Sequence, residues 1–166
     1  MKEEFVHLKL HTEYSLLEGV GKIEEYLERA KKLNIKQLAV TDTAMFGVVE
    51  FYEKAYKKGI KPIIGLEVFM DGFFSEQTGY KNLCKLSSLS FSRFNRTRNK
   101  IRYEELKKYS EGLFILSGGI NSELTESMMM YKYSEFKNII TKLAQDFGEN
   151  FYVEVPAAEK LKDKIK

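Results

Sequence analysis

Both histidines of the chain fall in the stretch FVHLKLHTEYSLLEG, residues 5–19, with Lys9 midway between His7 and His11. On an extended strand side chains alternate, so His7, Lys9 and His11 face one way and Leu8 and Leu10 the other. Histidines at alternate strand positions are a means of binding a divalent metal. Here the middle position carries an ammonium, which only donates hydrogen bonds and repels a cation. The stretch also reads as an ordinary strand whose histidines are partly buried and hydrogen-bonded. Two carboxylates extend the set. Asp42 closes the apolar run KQLAVTD, residues 36–42, and Glu67 lies in KPIIGLEVFM, residues 61–70. Imidazole and carboxylate together are donors for zinc, manganese or magnesium.

The elements that position these residues follow from periodicity. Residues 5–10 alternate as a strand. Ile23, Tyr26, Leu27, Ala30 and Leu33 share one helical face. Residues 36–42 are a second strand, and 47–59 a second helix with lysines in its last turn and Gly59 as its stop. Residues 61–70 are a third strand, Thr78 to Ser88 a helix, 90–100 a loop, and YEELKKYSEG a helix ending at Gly112. LFILSGG, 113–119, is a fourth strand. SEFKNIITKLAQDFG, 134–148, is an amphipathic helix with Ser134 as its cap. FYVEVP, 151–156, is a fifth strand, and the last ten residues form a lysine-rich helix. Strands alternating with amphipathic helices make an α/β fold with a largely parallel sheet. Working residues of such folds sit at the C-terminal ends of strands, where His11, Asp42 and Glu67 converge.

Composition narrows the function classes. The 166 residues are 43% hydrophobic and 31% charged, which suits one globular domain. The net charge of +3 is too mild to argue for a nucleic-acid binder by itself. The single cysteine, Cys84, excludes an internal disulfide framework and multi-cysteine zinc patterns and fits a cytoplasmic setting. No apolar run reaches the ~18 residues of a membrane span, and the acids in MKEEFVHLKL do not suit a signal peptide.

Four stretches occur in order: FVHLKLHTEYSLLEG, LAVTDTAMFGVVEFYEKAYKKGIKPIIGLEVF, TGYKNLCKLSSL and YSEGLFILSGG. Together they resemble the N-terminal polymerase-and-histidinol-phosphatase (PHP) domain of bacterial DNA polymerase III alpha subunits, from about residue 5 to 155. The resemblance implies an irregular TIM-like barrel of about seven strands and, in intact members, a phosphoesterase site holding a metal cluster. With about five strands readable here, the expected fold is an incomplete barrel over residues 1–166, lacking the C-terminal part of the family domain and exposing a sheet edge near the fourth or fifth strand.

The family's site carries over only in part. Of a first motif resembling His-x-His-x-His-Thr, positions 7 and 11 match and Lys9 replaces a ligand. Of a second resembling Thr-Asp-His-Gly-Asn-Met-Phe-Gly, Thr41 and Asp42 match, Thr43 replaces histidine, and the loop before Met45 is one residue shorter. Glu67 matches the third. Only DGFFSEQ separates Met70 from Thr78, so the family's next strand, with its histidine, reads as deleted, and the late Asp-x-His motif is absent. The resemblance thus implies a residual metal set of His7, His11, Asp42 and Glu67 that takes at most one zinc, manganese or magnesium ion. Lys9 stands in for metal by pairing with Asp42 or Glu67, and no residue is assigned a catalytic role. The implied function is a PHP module of a replicative polymerase with a structural and partner-binding role. Partners would be other polymerase domains, a proofreading exonuclease, or a second copy through the open edge. The rival readings are a phosphoesterase with a reduced site and a nucleic-acid-binding module.

The last rests on SFSRFNRTRNKIR, where Arg93, Arg96, Arg98 and Lys100 interleave with phenylalanines and could contact DNA or an acidic partner. A solvated loop explains the same residues. LSGGINSE reads as a tight turn before it reads as a phosphate loop. Cys84 belongs to a helix face with Leu83, Leu86 and Leu89, and the Met128–Met130 run suggests adaptable packing.

Overall fold

Ile23, Leu27 and Ala30 recur at helical spacing and form the buried face of the first helix, α1 (Ile23–Lys32). Glu24 and Glu25 lie in its first turn and Arg29, Lys31 and Lys32 in its last, each sign opposing the helix dipole. The second helix, α2 (Val48–Lys57), follows a single 3₁₀ turn and buries Val48, Phe51 and Ala55. These faces enclose Leu38 and Val40 of the intervening strand β1 (Gln37–Val40). Full burial of each such aliphatic contributes about 1.5–3 kcal/mol. The computed structural model describes residues 5–70, 73–77, 80–92, 100–119 and 122–154.

The stretch 61–70 is two strands, β2 (Lys61–Ile64) and β3 (Leu66–Met70), separated by Gly65. β2 pairs parallel to β1. The hydrogen bonds continue past the break, from Gly65 N–H to the Val40 carbonyl at 2.8 Å and from Glu67 N–H to the Asp42 carbonyl at 3.1 Å. β3 turns back into β4 (Phe73–Gln77), which pairs antiparallel with Glu67 opposite Glu76. This strand fills the segment that reads as deleted in the sequence. Next come α3 (Tyr80–Ser92) and a two-residue strand, β5 (Lys100–Ile101), parallel to β3. The helix α4 (Tyr103–Lys108), the strand β6 (Ile115–Leu116) and the helices α5 (Glu123–Met129) and α6 (Tyr133–Phe147) lead to the last strand, β7 (Phe151–Tyr152). Among the described residues there are thus seven short strands rather than five, all parallel to their neighbours except β4.

Several expectations shift. Residues 5–10 are extended, but they meet β1 through one bridge, His7 with Leu38, and through bonds from Ala39 N–H to the His7 carbonyl and from Thr41 N–H to the Leu10 carbonyl. Of the strands expected at 113–119 and 151–156, the described residues form strand at Ile115–Leu116 and Phe151–Tyr152, with Ser117 N–H still bonded to the Tyr152 carbonyl at 3.0 Å; residues 155 and 156 lie outside the described residues. Ser134 is not a cap: α6 starts at Tyr133, with Lys132 at the cap position. Thr78, Arg93, Arg96, Arg98 and the C-terminal helix expected after 156 lie outside the described residues.

The strands thus follow one another laterally: first segment, β1, β2 with β3, β4, β6, β7. Their outward residues pack under helices, Leu66 and Val68 on β3 and Ile115 on β6 among them, with Leu83, Leu106 and Leu143 of the helices above. Their inward residues face a cleft of about 780 Å³. Period-two alternation decides which is which: Ala39 and Thr41 face inward while Leu38 and Val40 are covered by α1 and α2. Among the described residues no pairing joins β7 to the first segment, and both border the cleft.

Candidate functional site: an ion-pair cluster at the mouth of the cleft

The alternation that sets the inward face delivers Lys9 and, two positions past Gly65, Glu67 to the same end of the sheet. Lys9 Nζ lies 3.0 Å from Glu67 Oε2. His11 follows at the next alternate position, and its Nε2 approaches the same oxygen at 2.6 Å, with the ring N–H donating. Glu18 reaches the other ring nitrogen, its Oε2 being 3.5 Å from His11 Nδ1. The side chains of His11 and Glu67 are 16% and 13% exposed and that of Lys9 is 35%, so the contacts lie at a half-covered rim.

The electrostatics follow from this packing. The hydrogen bond to Glu67 raises the His11 pKa above its ordinary 6.5, overcoming burial and the nearby Lys9 ammonium, which both lower it. Burial by itself would raise Glu67, but the bond from His11 and the Lys9 charge outweigh it and hold the carboxyl below its ordinary 4.5. Glu67 is an ionised acceptor with two donors on one oxygen, the Lys9 ammonium and the His11 imidazole, the second a cation when protonated.

Asp42 does something else. Its Oδ1 accepts the Thr12 backbone N–H at 2.6 Å and the Ser15 hydroxyl at 2.7 Å, while Oδ2 accepts the Thr12 hydroxyl at 2.6 Å. The carboxylate is 3% exposed and serves as the anchor of the loop 12–19. That loop closes tightly. A Cβ on Gly19 would stand 1.7 Å from the Thr12 carbonyl oxygen, so that position requires glycine, and one on Gly47 would stand 2.4 Å from the Tyr14 ring, which would have to shift. Thr43, at the histidine position of the second motif, gives its N–H to Ser15 Oγ at 3.1 Å.

Of the residues singled out in the sequence, the structure brings Lys9, His11 and Glu67 together. It assigns Asp42 to the neighbouring loop, so the pairing of Lys9 selects Glu67. His7 lines the cleft with its ring edge-on to Phe5, the centroids 4.7 Å apart. Lys100 opens β5, opposite Phe69 in the register. Two residues escaped the sequence reading. Glu18 gave no periodic signal. Glu154 did, since FYVEVP alternates and its glutamate falls just past β7, the same strand-end position that marks Asp42.

The Glu67 oxygen facing His11 is shared by an ammonium and an imidazole, and Asp42 accepts three hydrogen bonds from Thr12 and Ser15, two on Oδ1 and one on Oδ2. Among the described residues no three of histidine, cysteine, aspartate and glutamate are arranged to hold an ion. No helix among them is long and apolar enough to cross a membrane.

The family model described as the PHP domain matches residues 7–158. The chain belongs to the PHP domain family. Curated relatives named DNA polymerase III subunit alpha agree with this. That of Borreliella burgdorferi is 36% identical over 175 aligned positions, covering 93% of this chain and 15% of the relative. That of Helicobacter pylori strain 26695 is 35% identical over 185 positions, with the same coverage of 93% and 15%. That of Aquifex aeolicus is 32% identical over 183 positions, covering 95% and 16%. The chain thus spans about 15% of the length of these relatives.

Proposed function

We propose that the chain is the PHP module of a replicative DNA polymerase III alpha subunit, acting in DNA replication as a structural and partner-binding domain whose metal site has been replaced by internal ion pairs. The names of the relatives support the placement in a polymerase. The replacement is carried by one observation, the convergence of Lys9 Nζ and His11 Nε2 on Glu67 Oε2 at 3.0 and 2.6 Å. An intact hydrolase of this type uses ions to generate hydroxide near neutral pH and to neutralise phosphate charge. Here a fixed ammonium supplies the positive charge that keeps Glu67 ionised, but it cannot lower the pKa of a bound water. In this reading the curved sheet is an irregular TIM-like barrel open at one strand position, and its partners are the other domains of the polymerase and a proofreading exonuclease.

The experiment is hydrolysis of bis(p-nitrophenyl) phosphate by the purified chain with added manganese. The expected result is no turnover above that of Glu67→Gln. The competing phosphoesterase reading draws on the meeting of His11 and Glu67, and manganese-dependent turnover that vanishes in both His11→Gln and Glu67→Gln would establish it instead.

A further inference from the structure

The second helix carries two apolar faces. Val48, Phe51 and Ala55 form the buried one. Val49, Tyr52 and Tyr56 recur at the same spacing on the outer side and are 62%, 53% and 74% exposed. Phe46, in the 3₁₀ turn just before α2, continues this stripe and is exposed as well. A surface helix ordinarily turns polar residues to water, and an exposed apolar stripe marks a surface that meets another. This stripe is already in order. The rings of Tyr52 and Tyr56 lie parallel, with an interplanar angle of 8° and centroids 6.4 Å apart. Tyrosine offers a large contact area for two rotatable bonds, which suits it to anchor an interface. Residues 5–70 are described throughout, so α2 has described chain on both sides in the sequence.

The charges beside the stripe say what meets it. Toward α1 the lysines of α2 are paired, Lys54 with Glu50 and Glu24, and Lys58 with Glu24 and Glu28. Between these and the stripe stand Glu53 and Lys57, both exposed. They are one helical turn apart, yet among the described residues neither enters an ion pair, with the other or elsewhere. Charges at the border of an apolar stripe set the orientation of the helix that packs on it. A parallel copy of α2 would set Glu53 against Glu53 and Lys57 against Lys57. An antiparallel copy, related by a two-fold axis passing between Tyr52 and Tyr56, sets Tyr52 against Tyr56 of the second copy and Glu53 beside its Lys57, twice over. At the helical rise, that Glu53 and Lys57 stand about 3 Å apart along the helix axes, within reach of two long side chains. The face carries its own complement.

We propose that the outer face of α2 is a self-association surface on which a second copy of this chain packs antiparallel. Val49, Tyr52 and Tyr56 of the two copies meet across the two-fold, and Glu53 of each pairs with Lys57 of the other. The few side chains on each copy fall well short of the roughly 20–30 residues a side of a standard interface, so the association is weak and depends on concentration. The inference is independent of the polymerase assignment and of whether the cluster at Glu67 holds a metal.

The test is sedimentation of the full chain from roughly 10 μM to 1 mM, the range in which a weak interface fills. The weight-average mass is expected to rise above that of one chain as concentration increases. The double variant Tyr52→Ser/Tyr56→Ser removes only exposed rings, so it should keep the wild-type circular dichroism and stay monomeric. Glu53→Lys and Lys57→Glu should each weaken association about tenfold. An equimolar mixture of those two single variants should recover it, because one copy then brings two lysines and the other two glutamates. A wild-type chain that stays monomeric at the highest concentration overturns the proposal. So does association that survives the double tyrosine variant, or a mixture that associates no better than its components. Rings of Tyr52 and Tyr56 shielded from a soluble paramagnetic probe in the monomer would mean that the chain's own residues cover the face, and would overturn it as well.

Discussion

Replacing Lys9 with methionine keeps most of the aliphatic stem and removes the charge beside Glu67. At 3.0 Å the gross attraction is about 5 kcal/mol for an effective dielectric constant near 20. Lys9 is 35% exposed, so solvent screens the pair, and desolvation of Glu67 offsets much of the rest. A net loss of about 1–2 kcal/mol remains, or roughly 2–8 °C in Tm for a domain of this size. The loss depends on pH in a definite sense. While His11 is protonated it shares the neutralisation of Glu67, so the substitution is mild. Once pH rises past the elevated His11 pKa, Lys9 is the cation left on that oxygen, and the loss reaches its full value. Since Lys9 lowers the His11 pKa, Lys9→Met must also raise it. The assay is urea unfolding at pH 5.5 and 8.5, with His11 titrated by NMR in both proteins. Equal stability at pH 8.5 together with an unmoved His11 pKa would refute the reasoning.

Other outcomes follow from the same geometry. Asp42→Ala strands the Thr12 and Ser15 donors in a buried site and should destabilise by about 3–5 kcal/mol, read from a urea midpoint. Gly19→Ala drives a Cβ into the Thr12 carbonyl and should cost about 2–4 kcal/mol, with amide exchange rising across 12–21. The stability that His11→Gln removes should peak between pH 4.5 and 6.5. The raised His11 pKa contributes fully below 6.5 and is lost as pH climbs through the raised value. The lowered Glu67 pKa contributes fully above 4.5 and is lost as pH falls through the lowered value. A flat difference across pH 4 to 9 would show that the pair is not coupled to folding.

The α/β class and the inward face were legible because burial imposes a period. Leu38 and Val40 against Ala39 and Thr41, and Leu66 and Val68 against Gly65 and Glu67, carry the pattern in the residues themselves. The meeting of Lys9 with Glu67 was legible for the same reason. β4 was not, because a hairpin strand is selected by β3 alongside it rather than by its own short sequence, and β5 was hidden in a basic stretch. The hydrogen bonds of Asp42 were not legible, because a strand-end aspartate is equally suited to a metal and to a loop. Thr12 and Ser15 are brought to it by the loop that closes at Gly19 and packs Tyr14 against Gly47. Hydrogen bonding of that kind has no periodic signature.

The measurement closest to the central claim is calorimetric titration of the metal-free chain with zinc and with manganese, run beside Lys9→His and Glu67→Gln. If internal ion pairs have replaced the metal site, the wild-type chain shows no saturable binding that depends on Glu67, and Lys9→His gains weak binding because an imidazole replaces the repelling ammonium. Binding of one equivalent by the wild-type chain, lost in Glu67→Gln, would contradict the claim and return Lys9 to the margin of a working metal site.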